Sequence, residues 1–329
     1  MNLKNLERRI LEIDSDDTFN ETALEIFRFQ CLNNNIYRQF ISHLRVSPNR
    51  IDHHTGIPFL PISFFKTSVV HLFPERVKKC FQSSGTTGEN ASRHYFMGLS
   101  LYEKSFTAGF RYFFGDPAGW CFLALLPSYL EQSDSSLIYM VKGLMKLSGC
   151  PENGFYLNNY DELAKTLETV EAAGKKTMLL GVSFALLDFA RHFELSLKNV
   201  VIVETGGMKG RQKEIVREEL HQELCEKFGV DKICSEYGMT ELFSQAWSKG
   251  AGIFETPLWM RVLIRDTNDP LSLIPTGKSG GINIIDLANL YSCSFVATQD
   301  LGKSIDQNHF EVLGRFDNAD IRGCNLLVF

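Results

Sequence analysis

Ser235-Glu236-Tyr237-Gly238-Met239-Thr240-Glu241-Leu242 crowds hydroxyls, carboxylates and a phenol around one glycine. Alone, such a segment is a loop and a helix cap. Upstream, Gln82-Ser83-Ser84-Gly85-Thr86-Thr87-Gly88 combines small residues, which let backbone approach a phosphate, with hydroxyls that can donate to its oxygens. It is not the common nucleotide-binding loop, because no Gly-Lys-Ser/Thr follows. By itself it is either a polar surface turn or a phosphate cradle. Between the two lies Val200-Val201-Ile202-Val203-Glu204-Thr205-Gly206-Gly207, a strand pattern that ends in a glycine turn. Ligands of parallel sheets sit beyond the carboxyl ends of strands, so Gly206 and Gly207 could bring backbone groups to a nucleotide. A tight strand–helix connection would look the same. Downstream come Thr298-Gln299-Asp300-Leu301-Gly302 and Gly314-Arg315-Phe316-Asp317, each unremarkable alone.

The elements around these segments are predicted by periodicity. Leu24, Phe27 and Cys31 recur at helical spacing, and Ile36, Phe40 and Leu44 continue the stripe. Ile57 to Lys66 is aromatic, carries prolines at 58 and 61, and should run extended into the core. From about 80 to 245, strand candidates (Cys121–Leu126, Thr177–Val182, Val200–Val203, Lys232–Ser235) alternate with amphipathic helices. Asp161–Ala173 presents Leu163, Leu167 and Val170 on one face and is stopped by Gly174. Ile215–Phe228 presents Val216, Leu220, Leu224 and Phe228 and is stopped by Gly229. This alternation predicts parallel βαβ units. After about 250 the strands Arg261–Arg265, Gly281–Ile285, Ser294–Ala297 and Phe310–Leu313 predict a β-rich unit packed on the α/β part, with Asp300 following a strand.

Composition excludes several functions. A net charge of −5 gives no basic face for nucleic acid and no polybasic patch for a membrane surface. No apolar run approaches the ~20 residues of a membrane span. The N-terminal segment lacks a signal-peptide core. Eight cysteines without a Cys-x-x-Cys pair predict free thiols and a cytoplasmic setting. The eight histidines form no metal motif, and His53-His54 reads as a surface or interface pair.

Taken in order, the five segments resemble the core of the adenylate-forming enzymes, which use ATP to convert a carboxylate into acyl-AMP. The resemblance implies an α/β large-domain fold of parallel βαβ layers plus a β-rich subdomain. It implies ATP and Mg²⁺ as cofactors. Carried onto this chain, the loop Ser83, Ser84, Gly85, Thr86, Thr87 and Gly88 holds phosphates, and Gly206, Gly207 and Tyr237 hold adenine. Thr240 meets the α-phosphate or acyl carboxylate, and Glu241 holds Mg²⁺. Asp300 binds the ribose hydroxyls, while Arg315 opens a Gly-Arg-x-Asp hinge whose pivot is Asp317. Mg²⁺ chemistry suits Glu241, because the ion prefers a carboxylate together with phosphate oxygens. The family's loop is followed by a basic residue, and Arg93 is the position available here.

Ile57-Pro58-Phe59-Leu60-Pro61 with Phe64-Phe65-Lys66, then the hydroxyl loop, Glu204-Thr205-Gly206-Gly207 and Arg322-Gly323-Cys324 narrow the likeness to the acyl-protein synthetases of the LuxE type, the fatty-acid-activating component of bacterial bioluminescence, and their non-luminous relatives. It runs from about residue 57 to 324 and implies transfer of the acyl group to a cysteine near the C-terminus. Cys324 is the candidate, with Arg322 near enough to lower a thiol pKa; a cysteine near a chain end is otherwise inert. Phosphopantetheine on a carrier protein and coenzyme A are the other thiols, and a reductase or acyltransferase the expected partners. The chain stops fourteen residues after Arg315, at Phe329, so no lid lysine is assigned and the lid domain is expected to be absent or vestigial. The division expected is a core over 1–315 (helical to 80, α/β to 250, then β-rich) and a hinge stub over 316–329. A phenylacetate-type coenzyme A ligase and a non-catalytic adenylation fold that docks on a partner are the competing readings.

Overall fold

A computed structural model describes residues 3–83, 91–127, 134–206 and 216–316. Three helices lead: α1 (Leu3–Leu11), α2 (Asp16–Asn33) and α3 (Asn35–His43). Ser15 starts α2 by a reciprocal cap, in which its hydroxyl accepts from the Thr18 N–H and the Thr18 hydroxyl accepts from the Ser15 N–H. Asn34 ends α2 and caps α3 through the Tyr37 N–H. That break resets the helical phase. α2 buries Leu24, Phe27 and Cys31 as the spacing predicts, whereas α3 buries Tyr37 and Ile41, with Ile36 and Phe40 only half-buried beside them. The helices dock through amides: Gln30 Nε2 donates to the carbonyls of Asn289 and Leu290, and Asn34 Nδ2 to that of Ser292. His54 is buried rather than at the surface. Its ring lies edge-on to Phe19 and its N–H bonds Asn20, and burial pushes its pKa down to about 4.

The chain then forms β1 (Leu60–Pro61), a single turn α4 (Phe64–Thr67), and the hairpin β2 (Lys79–Gln82) and β3 (Arg93–Phe96). The extended run expected over 57–66 thus ends at Ile62, since the proline-free stretch after it can coil. The α/β part follows as α5 (Ser100–Phe114), β4 (Cys121–Leu125), α6 (Ser136–Ser148), β5 (Gly154–Tyr156), α7 (Tyr160–Ala172), β6 (Thr177–Val182), α8 (Ser183–His192), β7 (Val200–Thr205), α9 (Arg217–Phe228) and β8 (Cys234–Tyr237). Gly174 and Gly229 take left-handed conformations beyond α7 and α9, as the sequence predicts. β4 and β6 are buried along their whole length, as strands covered on both faces must be.

The remaining strands are β9 (Ala246–Ser248), β10 (Ile253–Glu255), β11 (Met260–Arg265), β12 (Ser279–Asp286), β13 (Phe295–Ser304) and β14 (His309–Arg315). They do not form a separate layer packed on the first. One sheet runs β11-β12-β13-β14-β10-β9-β8-β7-β6-β4-β5, with β1 beside β13. β5, β4, β6, β7 and β8 are parallel, and the reversal from β8 to β9 turns the sheet antiparallel. Thr205, the last residue of β7, lies opposite Glu236 of β8. Asp300 lies within β13, not after it. Between Ala297 and Leu301 three residues of β13 face Ile282 alone, a bulge that re-aims the strand.

Candidate active site

The bulge explains the geometry of Asp300. The buried Arg265 guanidinium fills it, donating to the carbonyls of Ile282 (2.6 Å) and Thr298 (2.5 Å) and to Asn283 Oδ1 (2.9 Å). The Thr298 hydroxyl accepts from the Asp300 N–H. Asp300 thereby projects both carboxylate oxygens: Oδ2 accepts from the Tyr237 hydroxyl at 2.8 Å and Oδ1 from Arg315 Nε at 3.2 Å. Arg315 faces Asp300 across the β13–β14 ladder. Three of the expected nucleotide residues, which lie as far as 78 positions apart (237 to 315), therefore meet in one cluster. Phe254 and Phe310 pack edge-on against the Tyr237 ring and fix its plane.

The turn after β8 is held from behind. Asp286, fully buried, accepts from the N–H groups of Phe243 and Ser244 and from the Ser244 hydroxyl at 2.6 Å. Burial pushes its pKa up to about 6 in spite of these donors. Asn289 Nδ2 donates to the Glu241 carbonyl. His94 of β3 donates from Nδ1 to the Thr240 carbonyl at 3.1 Å, while Nε2 accepts from the Ser292 hydroxyl at 2.8 Å. Its ring stacks on Phe243, and burial lowers its pKa to about 3, so it acts as a neutral hydrogen-bonding strut. None of Asp286, Asn289, His94 or Arg265 stands out in the sequence. Spacing carries no signal for them, because their partners are up to about 200 residues away.

Glu241 is buried and its pKa is raised. Desolvation is the main cause, opposed by the Ser92 hydroxyl and by the charges of Arg315 and Lys66. Among the described residues Glu241 belongs to no cluster of three metal-ligating side chains; the one such cluster is Cys121, at the start of β4, with Cys150 and Glu152 of the turn between α6 and β5. A single desolvated carboxylate fits Mg²⁺, which takes one or two carboxylates and completes its shell with phosphate and water.

The β2–β3 hairpin forms the neck of the hydroxyl loop. Gln82 pairs with Arg93, the Ser83 N–H donates to the Ser92 carbonyl, and the Ser83 hydroxyl accepts from the Ser92 N–H. Strand alternation puts Arg93 on the face shared with Gln82 and Cys80, opposite the face from which His94 reaches Thr240. Gly206 follows β7, its carbonyl accepting from the Ser183 hydroxyl. Ser84, Gly85, Thr86, Thr87, Gly88, Gly207 and Cys324 lie outside the described residues.

The mixed sheet, with helices between its parallel strands, has the fold of the adenylate-forming ligases. 2-Hydroxyisobutyryl-CoA ligase, solved with 2-HIB-AMP and CoA in its thioesterification state, superposes with a TM-score of 0.63 over 93% of this chain and 70% of that one, at 12% identity. ATP-bound MatB from Rhodopseudomonas palustris superposes with a TM-score of 0.54 over 72% of this chain, at 16% identity. The matched part is 47% of MatB, so the chain spans about half that protein's length. At such identities the likeness is one of fold. The chain itself belongs to the acyl-protein synthetase, LuxE, family, whose sequence profile matches residues 158–328, more than half of its length. No curated protein matches the chain in sequence.

Proposed function

We propose that the protein activates a carboxylic acid with ATP and passes the acyl group to a thiol. The observation that carries this reading is the junction of Tyr237, Asp300 and Arg315 with the Thr240–Glu241 turn at the carboxyl end of β8. Asp300 accepts the ribose hydroxyls in place of its present partners, and Tyr237 flanks the base with Gly206 and Gly207. The hydroxyl loop holds the phosphates, with Arg93 at its neck. Glu241, assisted by Thr240, would hold Mg²⁺, which offsets charge on the departing pyrophosphate.

In the first step a carboxylate oxygen bonds to the α-phosphorus and the bond to pyrophosphate breaks. In the second a thiolate sulfur bonds to the acyl carbon, AMP leaves, and the thiol proton passes to solvent. Cys324 is the proposed acceptor, with coenzyme A or a carrier phosphopantetheine as external alternatives. Burial pushes the thiols of Cys31, Cys121 and Cys293 up to about 12 and raises those of Cys80, Cys225 and Cys234, which makes them poor nucleophiles.

The test is intact-protein mass with peptide mapping after incubation with Mg-ATP and carboxylic acids from acetate to palmitate, with pyrophosphate measured in parallel. A hydroxylamine-labile adduct on Cys324 is expected. Acid-dependent pyrophosphate release whose acyl product appears only with coenzyme A would make the protein a ligase of the phenylacetate type. Nucleotide binding with no pyrophosphate release from any acid would refute the enzymatic reading and leave a binding module.

A further inference from the structure

At the amino end of the parallel strands, opposite the end that carries Tyr237, two thiols and a carboxyl converge. Cys121 opens β4 and is buried, while Cys150 and Glu152 stand half-buried in the turn between α6 and β5. Their sulfur and oxygen atoms all lie within 4.8 Å of one another, and Cys150 Sγ is 3.0 Å from Glu152 Oε2. The run Cys150-Pro151-Glu152-Asn153 makes the turn by itself. Proline at its second position presets φ, and the Asn153 N–H donates back to the Cys150 carbonyl at 3.2 Å. Asn153 then ties the turn to the strand. Its Oδ1 accepts from the Phe122 N–H at 2.7 Å, and its Nδ2 donates to the Met145 carbonyl at 3.0 Å. The Cys121 N–H donates to the Lys176 carbonyl, which brings the preceding residue, Lys175, to the same place. The Lys175 ammonium lies 2.6 Å from Glu152 Oε1.

The spacing of these donors suits a small four-coordinate ion. Zinc binds thiolate at about 2.3 Å and carboxylate at about 2.0–2.2 Å, so donors around a tetrahedral ion lie ~3.5–3.8 Å apart. Shifts of about an ångström in the turn close the observed cluster onto that geometry. Glu152 is already divided for the purpose: Oε1 is held by Lys175 and Oε2 faces Cys150, the kind of outer bond that orients a ligating carboxylate. Charge balances as well, because two thiolates, a carboxylate, the ammonium and a divalent cation sum to zero. Without an ion the place is hostile to a thiolate. Burial, then Cys150 and Glu152, push the Cys121 thiol up to about 12, with Lys175 opposing. A cation inverts that preference, since a coordinating thiol gives up its proton. Cys150 and Glu152 are partly open to solvent, so an ion can enter and water can complete its shell.

We infer that Cys121, Cys150 and Glu152 bind one thiophilic divalent cation of the zinc type, which clasps the start of β4 to the turn between α6 and β5. Two metal–sulfur bonds form as two S–H bonds break, the two protons pass to solvent, and nothing is oxidised or reduced. Thiolate donors favour Zn²⁺ over Mg²⁺, which prefers oxygen ligands. The clasp is therefore distinct from the Mg²⁺ proposed at Glu241, and it does not depend on the activation reading. A disulfide between the two thiols would use neither Glu152 nor Lys175, and the test separates it from the clasp.

The test titrates Zn²⁺ into the full chain, reduced and stripped of metal, in competition with a chromophoric chelator. Metal bound per chain, melting temperature and alkylation of Cys150 by peptide mapping are read together. One ion per chain is expected, with a higher melting temperature and Cys150 protected from alkylation. Co²⁺ in place of Zn²⁺ should show the near-ultraviolet absorption of a thiolate–cobalt bond. Loss of an outer partner commonly costs 10–100-fold in metal affinity, so losing a ligand itself should cost at least ~10²-fold. Cys150→Ser and Glu152→Gln change only the half-buried turn, and each should show that loss while the metal-free variants melt close to the parent. Cys121→Ser replaces a buried group, and its metal-free melting temperature separates misfolding from lost binding. Failure of the folded, reduced parent to bind one ion would overturn the inference. Unchanged affinity in both turn variants would overturn it too, as the mark of an adventitious ion held elsewhere. So would displacement of Zn²⁺ by an equal concentration of Mg²⁺, or a Cys121–Cys150 disulfide whose reduction yields no zinc binding.

Discussion

Replacing Glu236 by Gln tests the electrostatics of the site without any substrate. Burial, with the neighbouring Glu204 charge, raises the Glu236 carboxyl to about 7 against the donation from Thr205. Its unfolded-state value is about 4.5. Between these values the folded protein binds more protons at this position than the unfolded chain, so the group's contribution to stability is intact at low pH and is lost as pH rises through the window. At 1.36 kcal/mol per pKa unit, the full loss above neutral pH is about 3 kcal/mol. Roughly 2–3 kcal/mol of it falls between about pH 5 and about pH 8.5. An amide keeps the shape and does not ionise. The variant should therefore match the parent near pH 5 and exceed it by up to that amount near pH 8.5, a gain of roughly 3–5 °C in melting temperature for a chain of this length. Every other titrating group is common to both proteins, so the difference between them isolates Glu236 together with its coupling to Glu204. Melting curves of both proteins across that range suffice. A difference that stays flat with pH would refute the reasoning, because it would mean that the carboxyl is ionised throughout and has a counter-charge.

Glu241→Gln should fold and bind nucleotide but lose Mg²⁺-dependent pyrophosphate release; release within a few-fold of the parent would sink the metal assignment. Cys324→Ser should still release pyrophosphate yet hold no acyl adduct by intact mass, and a surviving adduct would put the thioester elsewhere. Asp286→Ala strands the Phe243 and Ser244 donors, so urea unfolding should show a loss of about 3–5 kcal/mol. His94 stays neutral in the fold because burial lowers its pKa to about 3, while the unfolded chain takes up a proton below about 6.5, so stability is lost as pH falls through that range. His94→Gln should be less stable than the parent at neutral pH but escape about 2 kcal/mol of the parent's loss between pH 7 and pH 5, as read from paired urea titrations.

Which parts were legible follows the range of the interactions. β6 spans Thr177–Val182 as its apolar run predicts, and α7 and α9 stop at Gly174 and Gly229, because burial on both faces and helix capping write themselves into neighbouring residues. β13 was legible only to Ala297, since Gln299 and Asp300 interrupt the apolar alternation. The strand continues because β12 and β14 pair with it and Arg265 fills its bulge. The continuity of the sheet from β8 into β9 is likewise a matter of pairing, which no local pattern encodes.

The sequence by itself determined the family, and it marks Tyr237, Thr240, Glu241, Asp300 and Arg315 as candidates because a nucleotide site would need such functional groups in that chain order. Only the tertiary structure decided that Asp300 is shared by Tyr237 and Arg315, that His94 and Asp286 brace the acidic turn, and that Glu236 is buried against the Thr205 hydroxyl. The physical reason is that a side chain's protonation and orientation depend on the solvent excluded around it and on the partners within a few ångströms, and in this fold those partners come from segments far apart in the chain.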